Sequence, residues 1–280
     1  MKGLNEIKTR IGGVSDTVKI TKAMYLISTA KMPALAQDLA AAEIYRGSMD
    51  FAVGRLASAA HATNPYLAPH PDAKRTGYIV IAGDKGLSGD YNHLVLDAAW
   101  EYLADAPDRK IFAVGYMAKE FFKRMGVKVN STYMHMMQHP LIEDAGEIAD
   151  RLMRDMVDEK LKEVYIIYTR ANKLHDQKVV CEKLLPLPYS RQEEDVALSA
   201  PNTDVTPLIR AALCAIIYDA LLNAAAALNY KHMTSMQKAT KNGEEMLEDL
   251  KQNYNHARQS AITAELIDVN VARMANEDIE

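Results

Sequence analysis

The chain has 280 residues, 49% of them hydrophobic, and a net charge of -4 at pH 7, which is ordinary for a soluble protein of one or two domains. This weakly acidic balance gives no reason to expect a nucleic acid partner. The two cysteines lie far apart and the eight histidines are scattered, so neither a disulfide framework nor a metal site is predicted.

The first predicted element is a long helix over residues 1–60. Apolar and small residues recur at alternating spacings of three and four, a heptad pattern typical of coiled coils. They are Leu4, Ile7, Ile11, Val14, Val18, Thr21, Tyr25, Ser28, Met32, Leu35, Leu39 and Ala42. A helix of this size would be about 90 Å long. Its flank is basic over the first half, which favours an acidic partner surface, and Pro33 predicts a kink near residues 29–33.

Residues 76–190 change to the pattern of an α/β domain, with short β-branched and aromatic runs between helical patterns. The predicted strands are Gly77–Ala82, Lys110–Gly115, Val164–Thr169 and Lys178–Leu187, and the predicted helices are Asn92–Ala104, Met117–Met125 and Ala145–Lys160. This alternation predicts a parallel sheet. A polar, proline-containing stretch, Tyr189–Thr206, predicts a linker out of the domain.

A glycine-rich loop, Gly83–Gly89, follows the first predicted strand and precedes a helix. Its spacing is G-x-x-G-x-x-G. A dinucleotide site needs G-x-G-x-x-G and a phosphate loop needs G-x-x-x-x-G-K-[ST], so the loop fits neither pattern. We interpret it as a structural turn.

A second long helix is predicted over residues 207–275. Its apolar start, Leu208–Leu228, contains Arg210, Asp219 and Asn223, which favours a core helix over a membrane span. The heptad pattern then continues at Met233, Met236, Thr240, Gly243, Leu247, Leu250, Tyr254, Ala257, Ala261 and Ala264. The predicted fold is therefore an antiparallel coiled coil of the N- and C-terminal helices with an inserted Rossmann-like α/β domain.

Several motifs resemble the gamma subunits of F-type ATP synthases. They are KITKAM at Lys19–Met24 with Ala30–Met32, GDKGLSGDYN at Gly83–Asn92, LLPLP at Leu184–Pro188, MTSMQKATKN at Met233–Asn242 and YNHARQSAITAEL at Tyr254–Leu266. They follow the family's order from end to end.

The resemblance implies a non-catalytic central rotor stalk without a cofactor, present as a single copy. Its partners would be the alpha and beta subunits of the catalytic ring, the epsilon subunit and the membrane c-ring, with no nucleic acid. It would lie peripherally at the cytoplasmic face of the plasma membrane, or of an equivalent coupling membrane, and couple ion flow to ATP synthesis and hydrolysis.

The resemblance also implies which residues meet the beta subunits. The matching positions are Met24, Arg258, Gln259, Thr263 and Glu265, and Lys22 and Lys31 on the basic flank complete the candidate set. Their polar side chains could form charge-assisted contacts in one angular position and lose them in the next. For an arbitrary helix the same charges would only be solvated surface.

The chain departs from the family at both ends of the motif series. Met32 is followed by Pro33 and Ala34 in place of a basic cluster. Ala272 and Arg273 replace the family's Gly-Ala pair, and the terminus is acidic, with Glu277, Asp278 and Glu280. These differences indicate a divergent member. Two alternatives to this family remain open at this point: a nucleotide-binding α/β enzyme with a helical hairpin, and a self-associating helical scaffold protein.

Overall fold

The computed structural model describes residues 2–60, 64–68, 73–104, 108–158, 161–173, 176–188 and 204–277. Its elements in chain order are α1 (Lys2–Ala60), β1 (Arg75–Ile81), α2 (Tyr91–Ala104), β2 (Arg109–Val114), α3 (Tyr116–Arg124), β3 (Val129–Tyr133), α4 (Ile142–Asp158), β4 (Leu161–Lys173), β5 (Asp176–Leu185) and α5 (Thr206–Glu277). Most of the predicted linker, residues 189–203, lies outside the described residues, as do Asp278 and Glu280.

The chain divides into two compact units. The helix-pair unit comprises Met1–Thr29 and Met233–Glu280, and the α/β unit comprises Ala30–His232. Helices α1 and α5 therefore contribute residues to both. Pro33 lies inside α1, where the helical conformation continues, so the kink that it suggests stays a prediction.

The two helices of the helix-pair unit run antiparallel with closely packed backbones. The Thr240 hydroxyl donates to the Thr21 hydroxyl over 2.8 Å, and a Cβ atom added to Gly243 would lie 2.5 Å from Val18 Cγ2. From the first contact to the second, the residue number falls from 21 to 18 on α1 and rises from 240 to 243 on α5. The two helices therefore run in opposite directions. The small residues in the two heptad stripes thus allow the close approach that a two-helix coil needs.

The α/β unit contains a mixed five-stranded sheet in the order β3-β2-β1-β4-β5. Strands β1 to β4 pair in parallel, whereas β5 pairs antiparallel with β4. The expectation of a wholly parallel sheet is wrong for β5, because the connection at residues 173–176 is too short for a parallel crossover. Strand β3 was missed, since Val129–Tyr133 is a short polar sequence at the sheet edge.

Helices cover both faces of the sheet. Helices α2 and α3 bury Val95, Leu103 and Phe122 against one face, and α4 and the start of α5 bury residues such as Leu152 and Leu213 against the other. One described helix, within Thr206–Asn270, is long and apolar enough to cross a membrane, but 89% of its most apolar 18-residue stretch is buried inside the protein. The start of α5 is therefore a core helix, as its charged residues predicted.

Candidate functional site

The seven predicted interface residues all lie on α1 and α5. Six belong to the helix-pair unit, whereas Lys31 belongs to the α/β unit. Their side chains are exposed except for Met24, which is half-buried. The Thr263 hydroxyl donates to the Gln259 backbone carbonyl over 2.9 Å. These residues therefore lie on exposed helix surface, which is polar except at Met24.

The predicted residues of the helix-pair unit fall into two groups at different levels along the coil. The register fixed by Thr21 and Thr240 places Gly3, near the start of α1, opposite Arg258. Met24 is therefore about 30 Å from the level of Arg258, at a rise of about 1.5 Å per residue. The structure does not bring Met24 and Arg258 together, so a partner would contact them as two separate sites.

In this register the first described residue of α1, Lys2, lies opposite Gln259, and α5 continues past that level to Glu277. Apolar side chains are exposed there, and Leu266 is 60% accessible to solvent. We call this group the C-terminal tip, and it consists of Ile262, Leu266, Ile267 and Val269. A cluster of exposed apolar side chains on one helix is typical of a surface that a partner covers.

A second exposed apolar group surrounds Met24. Ile20 and Ile27 lie one turn to either side of it on the same face of α1, and both are exposed. Sequence reasoning singled out Met24 but missed these neighbours. The signal was available, because both isoleucines stand outside the heptad positions that face α5.

The glycine-rich loop is closed by its own side-chain bonds. Asn92 Oδ1 accepts the Gly83 backbone N–H over 2.8 Å, and Asn92 Nδ2 donates to the Lys85 carbonyl and the Ser88 hydroxyl over 3.2 and 3.3 Å. A Cβ atom added to Gly83 would also lie 3.1 Å from the Asn92 amide oxygen. This geometry supports the interpretation as a structural turn.

Helix α5 occupies the crevice beyond β1 that nucleotides use in related sheets. Gly83 lies against Leu228, whose methyl carbons would be 3.3 Å from an added Cβ atom. The Tyr91 hydroxyl donates to the Ala224 carbonyl over 3.2 Å, and complete burial raises the pKa of Tyr91 above its ordinary value. The filled crevice disfavours the alternative of a nucleotide-binding enzyme.

Neither cysteine offers obvious chemistry. Both are free thiols; Cys214 is buried and Cys181 is half-buried. Burial raises the pKa of Cys181 to about 11, which keeps it protonated at neutral pH. Within the described residues, no group of three or more His, Cys, Asp or Glu side chains could hold a metal ion.

These features define a class of protein in which the two terminal helices pair antiparallel and expose apolar surface, and an α/β domain is inserted between them in the sequence. The ATP synthase family model matches residues 3–275. The ATP synthase gamma chain of Moorella thermoacetica is 32% identical over 274 residues, covering 96% of this chain and 97% of the relative. The gamma chain of Clostridium acetobutylicum is 32% identical over 271 residues, covering 95% of this chain and 96% of the relative. The chain belongs to the ATP synthase gamma chain family.

Two solved structures have the same fold. A chain of the Euglena gracilis mitochondrial ATP synthase matches with a TM-score of 0.73 and 17% identity, covering 98% of this chain and 94% of that chain. A chain of the Tetrahymena thermophila mitochondrial ATP synthase central stalk and c-ring matches with a TM-score of 0.59 and 20% identity, covering 79% and 99%. Both likenesses are evidence for the fold alone.

Proposed function

We propose that this gamma chain is the non-catalytic rotor shaft of an F-type ATP synthase. It couples ion flow through a membrane c-ring to ATP synthesis or hydrolysis in a ring of alpha and beta subunits, and it also contacts an epsilon subunit. One copy lies in each complex, peripherally at the cytoplasmic face of the plasma membrane or of an equivalent coupling membrane. The observation that carries the proposal is the antiparallel helix-pair unit, in which α5 exposes an apolar tip past the level of Lys2.

The asymmetry of the helix-pair unit suits a shaft that makes otherwise identical catalytic sites differ from one another. Two antiparallel helices have no threefold symmetry, so three equivalent catalytic subunits around them would meet three different surfaces. A contact made in one orientation only favours one conformation of that subunit, and each 1.4 kcal/mol of such preference changes an affinity about tenfold. Turning the shaft would then pass this preference from site to site.

The two interface levels give distinct contributions to this coupling. Met24 with Ile20 and Ile27 offers apolar contact at one height, and the polar Arg258 and Glu265 lie at another, beside the C-terminal tip. A hydrogen bond to a charged group contributes about 1.5–3 kcal/mol, and its gain or loss with angle would suffice to shift a nucleotide affinity tenfold or more.

The test replaces Arg258 and Glu265 by alanine together in the assembled complex. We expect ATP hydrolysis to continue while ATP-driven ion pumping into inverted membrane vesicles falls, because angular contacts are lost but the catalytic subunits are intact. The matched control replaces Lys241 and Glu245, an exposed pair 3.9 Å apart on the same helix. Normal pumping per ATP in the Arg258 and Glu265 variant would contradict the site assignment.

A further inference from the structure

The α/β unit has a groove that contains neither the surface around Met24 nor the surface around Arg258. It has a volume of about 680 Å³, and one wall is the segment of α1 from Met32 to Asp50. The opposite wall is formed by α5 around Asp219 and by the end of β4 at Arg170. The α1 wall runs for about five helical turns, or about 27 Å, which is the length of a helix of about 18 residues.

The groove carries an excess of negative charge. Arg46 donates to Asp219 Oδ2 over 2.7 Å and to Glu182 Oε2 over 3.1 Å, and Arg170 also donates to Glu182. Both guanidinium groups are thus engaged with carboxylates. Two further carboxylates, Glu43 and Asp50, line the groove, so its lining has three carboxylates with Asp219 against two cations. Glu182, outside the lining, pairs with both cations.

The Asp50 carboxyl is partly desolvated and has only a long contact with a cation. Desolvation raises the pKa of its carboxyl above the ordinary value, the nearby Asp219 adds to the rise, and Arg46 opposes it. Arg46 Nε is 4.0 Å from Asp50 Oδ2, because its closer contacts go to other carboxylates. A further cation placed beside Asp50 and Glu43 would therefore be attracted to incompletely balanced negative charge.

An exposed apolar stripe borders the groove along α1. Ala40, Ile44, Gly47 and Phe51 recur at spacings of four, three and four, and Ala40 and Gly47 also line the groove. Ile44 is 73% exposed and Phe51 is 54% exposed. The small residues leave room for a close backbone, and the heptad-like spacing is the one that packs against another helix.

We propose that this groove and its apolar border dock an amphipathic helix of another subunit, with a lysine or arginine beside its apolar stripe reaching Glu43 and Asp50. The inference rests on the proposed function in one respect, since the partner is sought among subunits of the same complex. The five-turn wall and the heptad-like border select a helix. The net charge selects a basic side chain, and a metal ion is disfavoured because the described residues form no metal-binding group.

The first experiment places a photoreactive benzoylphenylalanine at position 51 in the purified complex. Phe51 is already aromatic and is 54% exposed, so the probe keeps the ring and leaves the small residues of the stripe unchanged. We expect an adduct to a helical segment of a different subunit that has a lysine or arginine within one turn of the linked residue, identified by mass spectrometry. The same probe at the exposed Lys123 on α3 should not label that segment.

Three results would overturn the proposal: no adduct at position 51 in an intact, active complex, an adduct to a segment without a basic residue, or an adduct to a second copy of this chain. Failure of the proposed function has a different signature, because the chain would then not co-purify with alpha and beta subunits at all. The two failures are therefore distinguishable.

The second experiment tests the charge directly. Glu43→Lys and Asp50→Lys should each weaken retention of the linked subunit at least tenfold, measured by dissociation on dilution of the complex. Changing the linked basic residue to glutamate should restore retention in these variants. The control is Asp38→Lys, which alters an exposed carboxylate on the same helix outside the groove. Equal retention in all three variants would overturn the proposal.

Discussion

Gly243 offers a sharp test of how the two terminal helices pack. A Cβ atom at this position would lie 2.5 Å from Val18 Cγ2, well inside the roughly 3.5–4 Å at which carbon atoms make favourable contact. Val18 is β-branched and has one preferred rotamer in a helix, so its methyl group cannot turn away freely. Replacing Gly243 by alanine should therefore push the helices apart at this level.

The magnitude follows from two opposing effects. Alanine gains about 1 kcal/mol over glycine inside a helix. Overpacking a tight contact costs about 1–3 kcal/mol. Gly243→Ala should therefore lower the free energy needed to open the coil by between zero and about 2 kcal/mol, although alanine has the better helix propensity.

The control is Gly12→Ala in α1, where an added Cβ atom would meet nothing within 4 Å. This variant should stabilise by up to about 1 kcal/mol, because only helix propensity changes. Amide hydrogen exchange over residues 236–250 measures the opening free energy in each variant. The Val18→Ala and Gly243→Ala double variant should recover the loss, since the clashing methyl group is gone. Equal stabilisation by Gly243→Ala and Gly12→Ala would refute the register.

Three further predictions concern the α/β unit. Lys110→Met removes one partner of an almost fully buried 2.9 Å ion pair with Asp155. Arg151 Nε still lies 2.9 Å from the Asp155 carboxylate, so the loss should be that of one charged hydrogen bond, about 1.5–3 kcal/mol in urea unfolding. Cys181, with its pKa raised to about 11 from 9.0, should react with iodoacetamide at pH 8 about a hundredfold more slowly in the native protein than in urea. The hydrogen bond from Arg210 holds the pKa of Asp150 below 3.8, so this pair should stabilise the fold above about pH 4 and lose its contribution as the pH falls through the lowered pKa. Both side chains are more than a third exposed, so the pair contributes little. In Asp150→Asn, the free energy of unfolding should therefore fall by less on acidification than in the unchanged protein, the difference being under about 1 kcal/mol.

The elements with strong periodic patterns were predictable from sequence. Helix α1 ends at Ala60, and the strands near Gly77, Lys110 and Val164 are present because each has a run of buried β-branched or aromatic residues. Strand β3 was not predictable in this way, since a polar edge strand has no such run. The antiparallel β5 could have been inferred, because no helical pattern separates it from β4.

The candidate site was only partly predictable, for a physical reason. A heptad stripe tells which face of a helix is buried but not which residue of the other helix lies opposite it. The separation of Met24 from Arg258, and the extension of α5 past the level of Lys2, depend on this register. The acidic groove depends on contacts between distant parts of the chain, such as Arg46 with Asp219 across 173 residues, which no local pattern reveals.

Direct observation of rotation tests the central claim most closely. A bead would be attached through a biotinylated cysteine at the exposed Lys123 of α3, with the catalytic ring of the purified complex fixed to a glass surface. Our account predicts that ATP drives the bead in one direction in three equal steps per turn. A bead that stays still while the fixed complex hydrolyses ATP would contradict it.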